Sequence, residues 1–107
     1  MLPIRWMAPE TLRYTGSLKF SVASDIWSYG VTLWEIYTLG ELPYFQFNNE
    51  DVRKTIVNGV TLNIPQMCPK NIKKVMKHCW IVNPESRCSF EEIVSALHSD
   101  AFLTNLI

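Results

Sequence analysis

A long apolar run with almost no charge constrains this chain more than any other stretch. Between Ser24 and Gly40 the only charged residues are Asp25, at its start, and Glu35, and apolar side chains fall most of the way round a helix. A helix that is apolar on all sides is either buried or in a membrane. A run of about fourteen residues is short of the roughly twenty that a bilayer requires. We therefore predict a central helix around which the other elements pack.

Both ends of this helix carry recognisable signals. At the start, the side chain of Ser24 or Asp25 is placed to accept a hydrogen bond from a first-turn amide. At the other end, Gly40 can adopt the left-handed conformation that closes a helix, and Pro43 follows where no helix could continue.

The rest of the chain predicts shorter helices separated by loops. Residues 1–8 are expected to be extended, and residues 14–23 are expected to form a loop with a turn near Thr15-Gly16. Hydrophobic spacing and end signals predict further helices at Pro9 to about Arg13, at Asn48 or Asn49 to Gly59, and at about Lys70 to Ile81. No strand pattern is evident, so the predicted class is all-α with about five helices.

The last predicted helix begins with Ser89 and Glu92, whose spacing is that of a capping box. Its expected buried face consists of four apolar residues, Phe90, Ile93, Val94 and Leu97. The apolar tail, residues 101–107, receives no assignment.

Composition excludes several classes of function. Ten Lys and Arg balance ten Asp and Glu, so no net charge points to nucleic acid or to a membrane surface. The cysteines Cys68, Cys79 and Cys88 lack the spacing of a zinc site, and no secretory signal precedes them, which favours a reduced, intracellular setting. We also find no glycine-rich phosphate loop and no nucleophile with a matching base. No metal ligand or catalytic residue is therefore predicted in this chain.

A series of short motifs is more specific than any of these patterns. In chain order they are Leu2–Glu10 (LPIRWMAPE), Ser24–Val31 (SDIWSYGV), Leu33–Glu35 (LWE), Leu42–Tyr44 (LPY), Cys68–Pro69, Cys79–Trp80, Asn83–Pro84, Arg87 and Phe90. In this order and spacing they closely resemble the C-terminal half of a protein tyrosine kinase domain, in which A-P-E is a signature element. The stretch before A-P-E is most similar to receptor kinases of the insulin-receptor and neurotrophin-receptor groups.

The resemblance covers about residues 1–99 and implies a fold. It implies the mainly α, incomplete C-terminal lobe of a protein kinase, with a short helix after A-P-E followed by the helices that the family letters F, G, H and I. Residues 1–100 would then be a partial kinase domain, and 101–107 a C-terminal tail. The face of helix F that packs on the missing part of the domain would here be open to water.

Particular residues take expected roles from this resemblance. Leu2, Pro3, Ile4, Arg5 and Trp6 match the segment that docks the substrate peptide, with the Pro3 ring under the substrate tyrosine and Trp6 in the wall behind it. Ordinary core packing is the alternative for Leu2 and Ile4.

Five further residues match structural positions of the family. Glu10 matches a glutamate that pairs with a buried arginine, here Arg87, although both could instead be surface charges. Asp25 matches the aspartate that holds the catalytic loop by its backbone, or it is a plain helix cap. Trp27 and Gly30 match packing positions.

Arg53 stands near the position where the family often offers an apolar residue to the substrate, which leaves the peptide preference open. The sequence also departs from the family at two places. The segment between Glu10 and Asp25 is longer than usual, and Cys88 replaces a proline.

The resemblance implies that the parent domain transfers the γ-phosphate of ATP to protein tyrosine with Mg²⁺. In the family the motifs for that chemistry lie upstream, and none is present here, so this chain alone is expected to be inactive.

The expected partners of this chain are a tyrosine-containing protein substrate and the missing remainder of the domain. The parent would be a single-pass plasma-membrane receptor, with this part on the cytoplasmic side. The alternatives are part of a pseudokinase, or a short non-catalytic helical product that binds a partner.

Overall fold

The computed structural model describes residues 2–13 and 19–106, with side chains as far as residue 98. It contains five α-helices, α1 (Pro9–Leu12), α2 (Val22–Tyr37), α3 (Asn49–Val57), α4 (Lys70–Cys79) and α5 (Phe90–Leu106). Two short 3-10 helices lie at Ile4–Trp6 and Pro84–Ser86, and no β-strand occurs within the described ranges. The predicted mainly α architecture is confirmed.

Helix α2 begins earlier than the sequence predicted because Ser21, not Ser24 or Asp25, is its cap. The Ser21 hydroxyl accepts a hydrogen bond from the Ser24 amide at 3.1 Å, and the Ser24 hydroxyl accepts one from the Ser21 amide at 2.7 Å. This reciprocal capping box satisfies two amides that the helix cannot satisfy itself. The predicted cap was therefore wrong, and Asp25 lies in the first turn.

The C-terminal end of α2 closes with two consecutive left-handed residues. Leu39 has a φ of 59° and Gly40 has a φ of 89°. The Gly40 amide donates to the Glu35 carbonyl at 2.8 Å, and the Leu39 amide donates to the Ile36 carbonyl at 3.2 Å. This is a Schellman motif in which Leu39 takes the position that glycine usually fills. Gly40 is left-handed as predicted, but it is the second such residue.

The hydrophobic core forms where α4 packs across one side of α2. The side chains buried there from α2 and from α4 with its cap are Ile26, Trp27, Val31, Leu33, Trp34, Ile72, Val75, Met76, Cys79 and Trp80. Gly30 lies at the closest approach, because a Cβ atom added to it would sit 2.7 Å from the Cys79 Cβ and 2.8 Å from the Trp80 Nε1. The absence of a side chain at this position lets the two helices meet.

The opposite side of α2 is open. Val22 is 68% exposed and Ile36 is 60% exposed, with Asp25 and Thr32 on the surface between them. The prediction of a helix buried on all sides therefore holds for one face only. The expectation that this face packs on the remainder of a kinase domain stays a prediction.

The N-terminal segment is not extended as predicted, because it forms the 3-10 helix Ile4–Trp6. The Trp6 amide donates to the Pro3 carbonyl at 3.0 Å, and the Met7 amide donates to the Ile4 carbonyl at 3.1 Å. The turn predicted near Thr15-Gly16 lies outside the described residues.

Helix α5 starts with the predicted capping box, in which Ser89 and Glu92 exchange two hydrogen bonds of 3.1 Å. Ile93 is buried, but Val94 and Phe90 are 53% and 40% exposed, so this part of the predicted apolar face was wrong. The helical backbone runs on to Leu106, through most of the tail that received no assignment. Within the described ranges, no helix is both long and apolar enough to span a membrane.

Replacing Gly30 by alanine separates packing from helix propensity. Propensity alone would make Gly30→Ala stabilising by about 1 kcal/mol. Because the new methyl group would overlap Cys79 and Trp80, we expect destabilisation of about 1–3 kcal/mol. Urea denaturation of the chain measures this change.

The matched control is Thr32→Ala on the open face of the same helix, which should change stability by less than about 0.5 kcal/mol. A Gly30→Ala chain as stable as the Thr32→Ala chain would contradict the close contact.

Candidate functional site: the predicted docking segment and a buried ion pair

Arg87 is the best-satisfied polar side chain in the described part of the fold. Its Nη1 donates to Glu10 Oε2 at 2.7 Å and to the Ala23 carbonyl at 3.0 Å. Its Nη2 donates to Glu10 Oε1 at 2.7 Å and to the Val82 carbonyl at 3.2 Å, while Nε donates to the Ile81 carbonyl at 2.8 Å. A guanidinium has five N–H donors, and all five have partners here.

The Glu10–Arg87 ion pair is largely buried, so its hydrogen bonds must be well formed to offset the loss of water. The Arg87 side chain is 1% exposed and the Glu10 side chain is 21% exposed, so both charges have lost most of their water. The Arg87 Cζ atom also lies 5.0 Å from the ring centroid of Trp27, within reach of a cation–π interaction. Neither residue is a free surface charge, and the contact expected between Glu10 and Arg87 is present.

Arg5 holds the loop that follows α2. Its Nη1 donates to the carbonyls of Pro43 and Tyr44 at 2.8 and 2.9 Å, and its Nη2 donates to the Phe47 carbonyl at 2.8 Å. Tyr44 needs this support because its φ of 56° is unusual for a residue with a side chain. The Tyr44 ring is buried against the core, and that burial raises its pKa to about 12.

Trp6 joins the same N-terminal segment to α2. Its Nε1 donates to Glu35 Oε1 at 2.7 Å, and its carbonyl accepts a hydrogen bond from the Ser28 hydroxyl at 2.7 Å. Glu35, the charged residue in the C-terminal half of α2, therefore has a specific partner. The isolation of Glu35 in the sequence was the signal for such a contact, and the sequence prediction missed it.

The five residues of the predicted docking segment therefore differ in their surroundings. Leu2 is 50% exposed, Pro3 is also exposed, and Ile4 is half-buried against the core. Arg5 and Trp6 use their polar atoms on the fold itself. The segment thus begins with two exposed apolar residues and ends with two residues, Arg5 and Trp6, whose side chains are hydrogen-bonded to the rest of the fold.

A hollow of about 400 Å³ separates the end of α1 from α3. Arg53 donates from Nε and Nη2 to the Leu12 carbonyl at 3.2 and 2.7 Å, and Arg13 donates from Nη2 to the Val57 carbonyl at 3.0 Å. Arg53 of α3 thus caps the last turn of α1, and Arg13, at the end of α1, caps the last turn of α3. Arg53 lines this hollow with Arg13, Lys54 and Glu50, so three basic side chains and one acidic side chain border it.

Asp25 lies apart from these contacts, on the open face of α2. Among the described residues its carboxylate accepts no hydrogen bond, and the side chain is exposed. Its alternative role as the helix cap is excluded because Ser21 is the cap.

The resemblance to kinases implies that ATP and Mg²⁺ bind in the parent domain, so the described residues were compared with what such ligands need. Over the described ranges, no three His, Cys, Asp or Glu side chains are grouped so as to hold a metal ion. The sequence also has no glycine-rich loop to bind phosphates.

Comparison with known proteins identifies the family. The sequence model described as protein tyrosine and serine/threonine kinase matches residues 1–97. The NT-3 growth factor receptors of Homo sapiens, Sus scrofa and Gallus gallus are each 46% identical to the chain over 99 residues. These matches cover 92% of this chain and 11% or 12% of the receptors, so the chain spans about an eighth of the length of the relatives it matches.

The chain belongs to the protein tyrosine and serine/threonine kinase family. More particularly, it is part of the helical C-terminal lobe of a tyrosine kinase domain, as the resemblance of its motifs implied, and the relatives compared above are receptors by name.

A double-mutant cycle tests the Glu10–Arg87 pair. Because each single change leaves a buried charge without its partner, we expect Glu10→Ala and Arg87→Ala each to destabilise the chain by about 3–5 kcal/mol. The double variant should be much less destabilised than the sum of the two, as measured by urea denaturation.

The matched control for this cycle is the Glu50–Lys54 pair, whose atoms are 3.7 Å apart and whose side chains are mostly exposed. Its single variants should each change stability by less than about 1 kcal/mol. Small and additive effects at Glu10 and Arg87 would contradict the buried pair.

Replacing Arg5 by lysine tests its hold on the loop after α2. A lysine keeps the charge but lacks the planar fork that reaches three carbonyls. We expect amide hydrogen exchange at Phe47, whose N–H donates to the Tyr44 carbonyl at 2.9 Å, to become at least about tenfold faster. Exchange at Val52, inside α3, should not change. Unaltered exchange at Phe47 would show that the loop does not depend on Arg5.

Proposed function

We propose that the protein containing this chain is a tyrosine kinase that transfers the γ-phosphate of ATP to protein tyrosine, and that Leu2–Trp6 dock the peptide. The observation that carries this proposal is the exposure of Leu2 and Pro3 beside the anchored residues Arg5 and Trp6. An exposed apolar edge on a rigid support suits an aromatic substrate ring. The proline ring has little conformational entropy to lose when a substrate tyrosine packs on it.

The open face of α2 supports a second part of the proposal. Val22 and Ile36 leave apolar area exposed, and the Asp25 carboxylate between them is free to accept hydrogen bonds. The remainder of the kinase domain would cover this face, and Asp25 would accept backbone N–H groups of its catalytic loop. That remainder would also supply the groups that bind ATP and Mg²⁺, so the residues of this chain contribute docking and support.

The names of the relatives support a proposal about the cellular setting of the protein. The NT-3 growth factor receptors are receptors by name. We propose a single-pass plasma-membrane receptor with the present residues on the cytoplasmic side, where ATP and protein substrates are available.

A chimera tests the activity directly. Residues 2–97 would replace the matching segment in the kinase domain of the Homo sapiens NT-3 growth factor receptor, and transfer of labelled phosphate to a tyrosine peptide would be measured. We expect transfer to tyrosine and none to the matching serine peptide, with no transfer by the 107-residue chain alone. A chimera that melts cooperatively and binds an ATP analogue, yet transfers nothing, would contradict the proposal and favour the non-catalytic alternative.

A substitution in the same chimera tests the docking role. Pro3→Gly removes the ring that would support the substrate tyrosine, so we expect the KM for the peptide to rise about tenfold or more while kcat changes less. The control Met67→Ala removes an apolar side chain that is 94% exposed elsewhere and should leave both constants unchanged. An unchanged KM in the Pro3→Gly chimera would exclude Pro3 from substrate binding.

A further inference from the structure

Two of the three cysteines are direct neighbours. The Sγ atoms of Cys79 and Cys88 lie 4.0 Å apart. Cys79 is the last residue of α4 and is fully buried, whereas Cys88 is half-buried in the non-helical residues just before α5. Cys68 is also buried, and within the described ranges no hydrogen bond or disulfide joins it to either of these two sulfurs. The chain thus brings together one specific pair of thiols.

A small hollow gives solvent access to Cys88. It has a volume of about 130 Å³ and is lined by Cys88 together with Lys74, His78 and Glu92. Cys79 does not line it. A small reagent that enters the hollow would therefore meet Cys88 first, with Cys79 behind it.

We propose that Cys79 and Cys88 are a reversible dithiol site that forms an intramolecular disulfide with small disulfide oxidants such as oxidised glutathione. The Cys88 thiolate attacks one sulfur of the oxidant, which gives a mixed disulfide and releases one glutathione thiolate. The Cys79 thiolate then attacks the Cys88 sulfur and releases the second glutathione. The two cysteine thiols lose two electrons and two protons, and the two glutathione thiols carry them away.

The packing indicates which partner moves. A disulfide bond is about 2.05 Å long, so the two sulfurs must approach by roughly 2 Å. The backbone at Cys79 is held by its close contact with Gly30, and Cys88 lies outside any helix. Movement at Cys88 would act on Arg87, the adjacent residue, which carries the buried ion pair. Formation of the disulfide between Cys79 and Cys88 would therefore also affect Arg87 and the ion pair by which it holds Glu10.

The pair should react slowly until a strong or abundant oxidant is present. Burial raises the pKa of both the Cys79 and the Cys88 thiol, so little thiolate is present at neutral pH. The reaction is therefore best examined at about pH 8.5, where more of the Cys88 thiol is ionised.

The test is disulfide mapping of the full chain by mass spectrometry after treatment with oxidised glutathione. We expect a loss of about 2 Da that dithiothreitol reverses, and a bridge between Cys79 and Cys88. Cys68→Ser should still form this bridge. Cys88→Ser should form no bridge, because its two remaining thiols, Cys68 and Cys79, are both buried.

The unfolded chain provides the matched reference. Cys68–Cys79 and Cys79–Cys88 are separated by similar lengths of chain, so both bridges should form about equally in guanidinium chloride. In native buffer the Cys79–Cys88 bridge should exceed any bridge to Cys68 by about tenfold or more. Equal bridging in both conditions, or three free thiols after native treatment, would overturn the proposal. None of these results depends on kinase activity, so they are distinct from the tests of the proposed function.

Discussion

The guanidinium of Arg87 is the constraint on which the arrangement of this lobe depends. Its five N–H groups reach Glu10 of α1, the first residues of α2 and two carbonyls that follow α4. A buried cation that lacks any of these partners would cost several kcal/mol. The three segments must therefore arrive together, and α2 takes its position between α1 and the end of α4. Trp27 then closes the site by placing its ring over the cation.

Side-chain hydrogen bonds to the rest of the fold also position the proposed docking segment, Leu2–Trp6. Arg5 and Trp6 direct their polar groups inward, to loop carbonyls and to Glu35, and so leave Leu2 and Pro3 outside. Arg13 and Arg53 cap each other's helices and place positive charge along the hollow beside α3. In this fold arginine side chains mainly join separate backbone segments through hydrogen bonds. Residues that take no part in these contacts, such as Leu2 and Pro3, form the exposed surface.

Local patterns predicted the elements well and the contacts between them less well. Pro9, Asn48 and Ser89 mark helix starts through chemistry within one turn, and these starts were predicted correctly. The start of α2 was misplaced because Ser21 and Ser24 share the cap, whereas the adjacent Asp25 offered an equally good local signal. Leu39 in the left-handed position had no signal at all, since Gly40 beside it satisfied the usual rule.

Contacts over long sequence separations had even less local signal. The Arg5 and Arg53 side chains bind backbone carbonyls, which every residue carries, so the sequence cannot indicate which carbonyl is used. Only the resemblance to kinases paired Glu10 with Arg87. The neighbourhood of Cys79 and Cys88 arises from the turn between α4 and α5, and the sequence showed only that Cys88 replaces a proline.

The most direct measurement of the central claim is an NMR spectrum of the arginine side chains. If all five donors of Arg87 are engaged, rotation about its Nε–Cζ bond is slow, and its Nη protons give separate resonances protected from exchange. Those of Arg13, which is exposed and makes one such hydrogen bond, should be averaged. Separate Arg87 resonances that collapse in the Glu10→Ala variant would support the account. An Arg87 signal as averaged as that of Arg13 would contradict it.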